Sequence, residues 1–266
     1  MDKKDEDAQI DTLLPLERQQ RILELIQEGI TIRVSRLSEI LEVSDMTIRR
    51  DLIALENQGL VERTHGGAVL RHERVIDKFH YQSNIEKNIE VKQRIAQKAA
   101  TLIEPDDIIY LGEGTTPPLV LRYVDPAMPF TAFTNNLGTL TEIEDKAVEL
   151  VLLGGSYNPT THSMAGPLTM EMIRQVYATK VFLSVDGLSL SAGLTTPDLE
   201  IAAIERSMIH HTRGQVVVMA DQSRFGMVAE MVITPIQRIN VLVTDQELPD
   251  EFRKDLESIG VGIIIA

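Results

Sequence analysis

Cysteine is absent from the 266 residues. That excludes disulfides, thiol nucleophiles and thiolate-held zinc, and it suits a reducing compartment. Long apolar runs are missing too: none approaches the ~20 residues that a membrane span requires, so no membrane partner is expected. The opening "MDKKDEDAQIDTL" has no apolar core of a secretory leader. A cytoplasmic protein is expected. Positive charge is in deficit, with 26 Lys and Arg against 40 Asp and Glu and a formal net charge of −14. Such a balance argues against broad attraction to nucleic acid, yet it leaves room for a small basic module on an acidic body. What is present, 43% hydrophobic and 25% charged residues, is the composition of a globular chain long enough for one large or two ordinary domains. There is no internal repeat or low-complexity tract.

Residues 1–14 read as a charged tail. From Pro15 the apolar spacing turns helical, with Ile22, Leu25 and Ile26 on one face and Gly29 as a stop. "TIRV" at Thr31 is a short extended piece, and Leu37, Ile40 and Leu41 form a second helical stripe. Ser44 is a natural N-cap and Asp45 suits the positive end of a helix dipole. The third helix runs to about Gln58 with Ile48, Leu52 and Leu55 inward, and Gly59 ends it. "LVERT" and "AVL" then flank "HGG", a strand–turn–strand signal.

Residues 15–72 therefore predict a winged helix–turn–helix. Its recognition helix presents N-terminal side chains to the major groove. On the helical wheel Met46, Thr47 and Arg50 lie roughly opposite the apolar stripe, with Arg49 on a flank. Arginine bonds guanine or grips phosphate, and threonine meets a thymine methyl. Arg33, Arg36 and Arg63 are candidates for the phosphate backbone, and His65 for the neighbouring minor groove. The competing explanation for Arg49 and Arg50 is pairing with Asp45, Glu56 or Glu42 on a solvated surface. Thr47-Ile48-Arg49-Arg50-Asp51-Leu52, capped by Ser44, and Arg63-Thr64-His65-Gly66-Gly67-Ala68 resemble the DNA-binding domain of the DeoR family of bacterial transcription regulators. The resemblance implies that double-stranded operator DNA is a partner.

A polar connector covers residues 73–88 and merges into a helix through Ala100, with Ile95, Ala99 and Leu102 on one side. Residues 89–266 predict an α/β domain. Apolar runs recur at Ile108, Phe130, Val148, Lys180, Gln215, Ile239 and Val261 with helical stretches between most of them. That pattern indicates a mostly parallel sheet covered on both faces. Polar or glycine-rich clusters follow successive strands: Gly112, Glu113, Gly114, Thr115 and Thr116; Asn135 and Asn136; Gly154 and Gly155; Asp186, Gly187, Thr195 and Glu200; Asp221 and Arg224. Each alone is an ordinary turn, but ligands collect at the carboxyl ends of strands in open α/β sheets, so their recurrence predicts a pocket. Gly112 and Gly114 with the two threonines predict an anion-holding nest at a helix start.

Gly114-Thr115-Thr116, Thr134-Asn135-Asn136, Gly154-Gly155, Asp186-Gly187, Gly193-Leu194-Thr195 and Asp221 extend the DeoR resemblance. It implies a sensor domain similar to ribose-5-phosphate isomerase and glucosamine-6-phosphate deaminase, binding a phosphorylated sugar or related metabolite. Three positions depart from the family pattern. Gly112 stands where an acidic residue is usual, Glu113 opposes a phosphate unless it points away, and Arg224 replaces a lysine. Arg224 is alternatively a plain surface cation.

Catalysis is the competing class: an aldose–ketose isomerase or deaminase with an added DNA-binding domain, for which Asp186, Glu200 and Asp221 are the candidate acids and bases. Leu188-Ser189-Leu190 stands where the isomerases carry a second acidic cluster, and His162, His210 and His211 lack metal-ligand company. A third class is an interaction protein whose α/β domain only dimerises. The expectation is a homo-oligomeric, non-enzymatic regulator, a repressor of sugar-metabolism genes. No metal or cofactor is expected.

Overall fold

The structure, a computed structural model, describes residues 15–28, 32–57, 61–63, 67–70, 81–246 and 248–266. The expected tail at 1–14, the stops at Gly29 and Gly59, His65 and residues 73–80 of the expected connector lie outside the described residues, as does the side chain of Arg63. The chain divides into two compact units, residues 1–72 and 73–266.

The first unit is built from α1 (Pro15–Glu28), β1 (Ile32–Arg33), α2 (Val34–Ile40), α3 (Asp45–Asn57), β2 (Val61–Arg63) and β3 (Gly67–Leu70). Ile22, Ile26, Leu37, Ile48, Leu52 and Leu55 are all but fully buried in one cluster, as their helical spacing predicts. Ile40 departs from its expected stripe. It is 38% exposed, because α2 ends there and turns Val34 and Leu37 inward instead. The three strands form an antiparallel sheet in the order β1-β3-β2. A Cβ at Gly67 would lie 2.1 Å from the Ile32 carbonyl oxygen, so β1 and β3 close only over glycine.

A polar contact also ties this unit together. The Asp51 carboxylate accepts from Arg18 Nε at 2.6 Å, and side-chain exposures of 11% for Arg18 and 6% for Asp51 bury the pair between α1 and α3. Gln19 Nε2 donates to the same carboxylate at 3.3 Å.

The second unit runs α4 (Tyr81–Asn84), α5 (Ile89–Ala100), β4 (Ile108–Leu111), α6 (Pro117–Arg122), β5 (Phe130–Thr134) and β6 (Val148–Leu152). It continues with β7 (Ser156–Asn158), β8 (Ser163–Ala165), α7 (Pro167–Arg174), β9 (Ala178–Ser184), β10 (Gly187–Ser189) and β11 (Gly193–Thr196). The last elements are α8 (Leu199–His210), β12 (Thr212–Met219), β13 (Met231–Thr234), β14 (Val241–Thr244), α9 (Asp250–Ser258) and β15 (Gly262–Ile265). All seven expected apolar runs become strands of one seven-stranded sheet in the order β15-β14-β12-β9-β4-β5-β6, parallel throughout.

Period-two geometry explains the absence of polar alternation. Ile109 and Leu111 pack with α5 and α6 on one face. Tyr110, one residue out of phase, reaches the other face, where its hydroxyl donates to the Ile173 carbonyl at the end of α7 at 3.0 Å. Helices cover both sides. At the opposite end of the strands from the polar loops, Lys180 Nζ donates to Asp107 at 2.6 Å and Glu104 at 3.0 Å, pinning the starts of β4 and β9.

Two features have no counterpart in the expected order. β7 and β8 pair as a hairpin, and β10, β11 and β13 form a separate antiparallel sheet over the strand ends. The expected connector is also packed from Tyr81 onward. That side chain is buried against the His162 ring, and its hydroxyl occupies the space a side chain at Gly138 would need.

Candidate functional site

The start of α3 is organised by Ser44. Its carbonyl accepts from Thr47 N at 2.9 Å and Ile48 N at 3.1 Å, its hydroxyl accepts from Thr47 N at 3.2 Å, and the two hydroxyls lie 2.9 Å apart. The helix dipole and Asp45 in the first turn complete the cap. Ser44→Ala is expected to cost the first unit about 1 kcal/mol, read by urea unfolding with amide exchange in α3; unchanged protection would assign the cap no weight.

Burial of Ile48, Leu52 and Leu55 turns the other face outward: Met46 is 64% exposed, and Arg49 and Arg50 are exposed. Among the described residues no carboxylate comes within ion-pair distance of either arginine, so the pairing with Asp45, Glu56 or Glu42 is not seen. The adjacent Asp51 points inward to Arg18. Arg36 pairs with Glu39 at 3.2 Å on the exposed side of α2, and Arg33 occupies the extended N-cap position of that helix.

In the second unit the strand-end loops line a cleft open to solvent. Of the expected effector residues, Glu113, Gly114, Thr115, Thr116, Asp186, Asp221 and Arg224 line it. Gly114 takes φ 98°, and a Cβ there would lie 2.3 Å from Ser184 Oγ, so this loop and β9 meet only over glycine.

The other expected positions lie outside the lining. Asn135 donates to Glu113 Oε1 at 2.7 Å and to the Met164 carbonyl at 2.8 Å. Asn136 donates to the Gly112 and Gly114 carbonyls at 3.2 and 2.7 Å. Both asparagines are fully buried braces of the loops. Gly112 lies packed under Leu183, and Gly187 under the Met227 carbonyl. The Gly154 carbonyl accepts from Thr169 on α7 at 2.7 Å, and Gly155 beside it packs against Thr169 and Ala165. Thr195 Oγ1 accepts from Ala229 N at 3.0 Å, while Glu200 is exposed in the first turn of α8.

The expected nest is also weaker than its sequence implies. α6 has six residues and starts with Pro117 and Pro118, which contribute no N–H to an anion.

Positive charge comes from elsewhere. Lys92 on α5 lines the cleft beside Arg224, and its ammonium donates to the Asn84 carbonyl. Burial, reinforced by Arg224, brings its pKa down to about 8. Arg224 Nη1 stands 3.9 Å from Asp186 Oδ1, and Asp186 Oδ2 also accepts from Thr196 Oγ1 at 2.8 Å. Burial raises the Asp186 carboxyl above its ordinary range. Glu113 is braced by Asn135 and by Ser163 at 2.9 Å, so both its oxygens are engaged within the protein; burial outweighs those bonds and pushes its pKa up to about 7. Glu205 on α8 adds a buried acid to the lining, close enough to Glu113 and Asp186 for their charges to act on it.

Asn84, Lys92, Ser184, Thr196 and Glu205 were not among the expected positions. Two carried a legible signal. Lys92 shares the buried stripe of Ile95, Ala96 and Ala99, and Glu205 that of Ile201, Met208 and Ile209. A charge on the apolar side of a helix marks a partner or a site.

The DeoR-like helix-turn-helix domain matches residues 18–74, and the DeoR C-terminal sensor domain matches residues 87–246. The HTH-type transcriptional regulator GolR of Listeria innocua serovar 6a is 31% identical over 96% of this chain and 100% of its own. The lactose phosphotransferase system repressor of Streptococcus mutans serotype c is 31% identical over 90% of this chain and 95% of its own. Ribose 5-phosphate isomerase A of Methanocaldococcus jannaschii is similar over 53% of this chain and 56% of its own, at 16% identity and a TM-score of 0.39. With both domains matched in order and full-length relatives above 30% identity, the chain belongs to the DeoR family of transcriptional regulators.

Proposed function

We propose that the chain is a cytoplasmic, homo-oligomeric repressor of sugar-metabolism genes. It binds double-stranded operator DNA through α3 and responds to a small anionic metabolite, a phosphorylated sugar, in the cleft. The observation that carries the DNA half is the pair of exposed arginines, without an ion-paired carboxylate among the described residues, on a capped helix whose opposite face is buried. Repression of sugar genes is supported by the name of the lactose phosphotransferase relative. Pairing of modules on a repeated or palindromic operator supplies the affinity that one small module lacks.

Arg50→Ala is expected to weaken operator binding about 10- to 100-fold, the loss of about 1–3 kcal/mol at one bidentate contact. Melting of the second unit should stay unchanged. Gel shift of the full chain on its own upstream DNA at fixed salt is the measurement, and equal affinity would remove α3 as the reader.

The cleft supports the sensing half because two buried or half-buried cations, Lys92 and Arg224, face one opening. Lys92 also holds the Asn84 carbonyl of α4, so an anion that draws its ammonium away releases the end of the segment leading from the DNA-binding module. An effector shifts the operator-binding equilibrium only by its difference in affinity for the two forms.

The buried acids Glu113, Asp186 and Glu205 are the one observation favouring an isomerase. The chain is read as a non-enzyme because the Asp186 carboxyl is already engaged within the protein by Thr196 and Arg224. Turnover of pentose or hexose phosphates that is abolished by Asp186→Asn would reverse that reading.

A further inference from the structure

Among the described residues, the buried acids Asp51, Asp107 and Glu113 are paired and Glu205 is not. Asp51 has Arg18, Asp107 has Lys180, and Glu113 has Asn135 and Ser163. Glu205 is 1% exposed and neither of its oxygens has a side-chain hydrogen-bond partner; among the described residues the backbone N–H of Glu113 is the one donor that acts on it, without the geometry of a formed bond. It stands at the middle of α8 and lines the cleft one turn along from Ile201. The carboxyls that act on it are Glu113, from the loop after β4, and Asp186, from the end of β9. Its helix neighbour Arg206 is turned away, donating to the Val232 and Ile233 carbonyls of β13. Among the described residues no cation pairs with Glu205.

An unpaired carboxylate so deeply buried is costly, and protein partners normally remove that cost. Here burial and two neighbouring acids push the Glu205 carboxyl well above its ordinary range, toward the neutral form. A neutral carboxyl offers one O–H donor and one C=O acceptor. A hydroxyl is likewise both donor and acceptor, so the two groups satisfy each other completely. An ammonium donates only and requires the ionised acid.

We infer that Glu205 is the specificity residue of the cleft, and that the effector is a phosphorylated sugar or polyol whose non-anionic end places a free hydroxyl, in preference to an amine, against it. This rests on the cleft being the effector site and adds the chemistry of its second end.

The test is calorimetric titration of the full chain, wild type, Glu205→Gln and Glu205→Leu. The probes are inorganic phosphate and a panel of pentose and hexose phosphates, each with its deoxy and amino counterparts. In wild type a hydroxylated probe should bind more tightly than inorganic phosphate, and its deoxy counterpart should lose about tenfold or more, since the buried acid is then left unpaired. Glu205→Gln retains a donor and an acceptor and should keep that preference within a few-fold. Glu205→Leu should treat hydroxylated and deoxy probes alike.

A preference that survives in Glu205→Leu, a wild type that favours the amino counterpart, or equal binding of all phosphates overturns the proposal while leaving the cleft as the effector site. Should Glu205→Leu not fold, loss of the preference in a folded Glu205→Gln overturns it as well. A wild type that binds none of the probes, inorganic phosphate included, removes the effector site itself and this proposal with it.

Discussion

Asp51→Ala is expected to abolish operator binding by unfolding the DNA-binding unit, although Asp51 faces away from the exposed arginines. The substitution removes the Asp51 carboxylate, at 2.6 Å, from the Arg18 guanidinium, 11% exposed, between α1 and α3. Breaking a buried pair from one side costs about 3–5 kcal/mol, far more than the pair contributes over a well-packed apolar replacement. A unit this small has about that much stability in total. Urea unfolding followed by amide exchange should show α1 and α3 unprotected while β4, β9 and β12 keep their protection. Arg18→Met combined with Asp51→Leu should recover much of the loss, because both charges are then removed. If Asp51→Ala binds DNA with wild-type affinity and protection, the pair is a surface contact and the interior of this unit needs another account.

Lys92→Met should separate stability from sensing. Its pKa, brought down to about 8, means that the folded protein holds this proton less firmly than the unfolded chain does. Protonation of the unfolded chain therefore opposes folding below about pH 8, and stability should rise as pH climbs from there toward the ordinary lysine range. In Lys92→Met that rise should vanish, and the second unit should melt at or above the wild-type temperature at neutral pH. Binding of an anion should fall about 100-fold, the loss of roughly 3 kcal/mol expected for a desolvated charge contact. Melting curves at several pH values and calorimetry with inorganic phosphate measure the two effects. A variant that is less stable yet binds phosphate normally would make Lys92 a structural brace for Asn84 and α4 alone.

The large sheet was legible because its strands carry β-branched or apolar runs, and those of the inner strands β4, β9, β12 and β14 are mostly buried, so sequence and environment agree. The helix–turn–helix was legible because Ile48, Leu52 and Leu55 declare one face while Ser44 declares the start. β10 and β11 were not, since Gly187–Ser189 and Gly193–Thr196 are the small polar residues of turns. Their extended form comes from pairing with each other and with β13. The strand-end motifs led to the cleft but not to its lining. Asn135 and Asn136 carry the right chemistry and spend it on the loop backbones, a distinction that only three-dimensional placement makes. Lys92 and Glu205 lay far from any loop motif, on helices read for their apolar spacing.

The order of strands in the large sheet has a kinetic consequence. β9 at its centre pairs with β4, Lys180 against Ile109, and on its other side with β12. Such distant pairings form slowly, and during synthesis the chain emerges from its N-terminus. The arginine-bearing helix is thus complete while the far side of the metabolite cleft is still on the ribosome. Under the proposed function, newly made chains finish the DNA reader before the sensor, and a single module lacks the affinity to hold an operator until its partner joins.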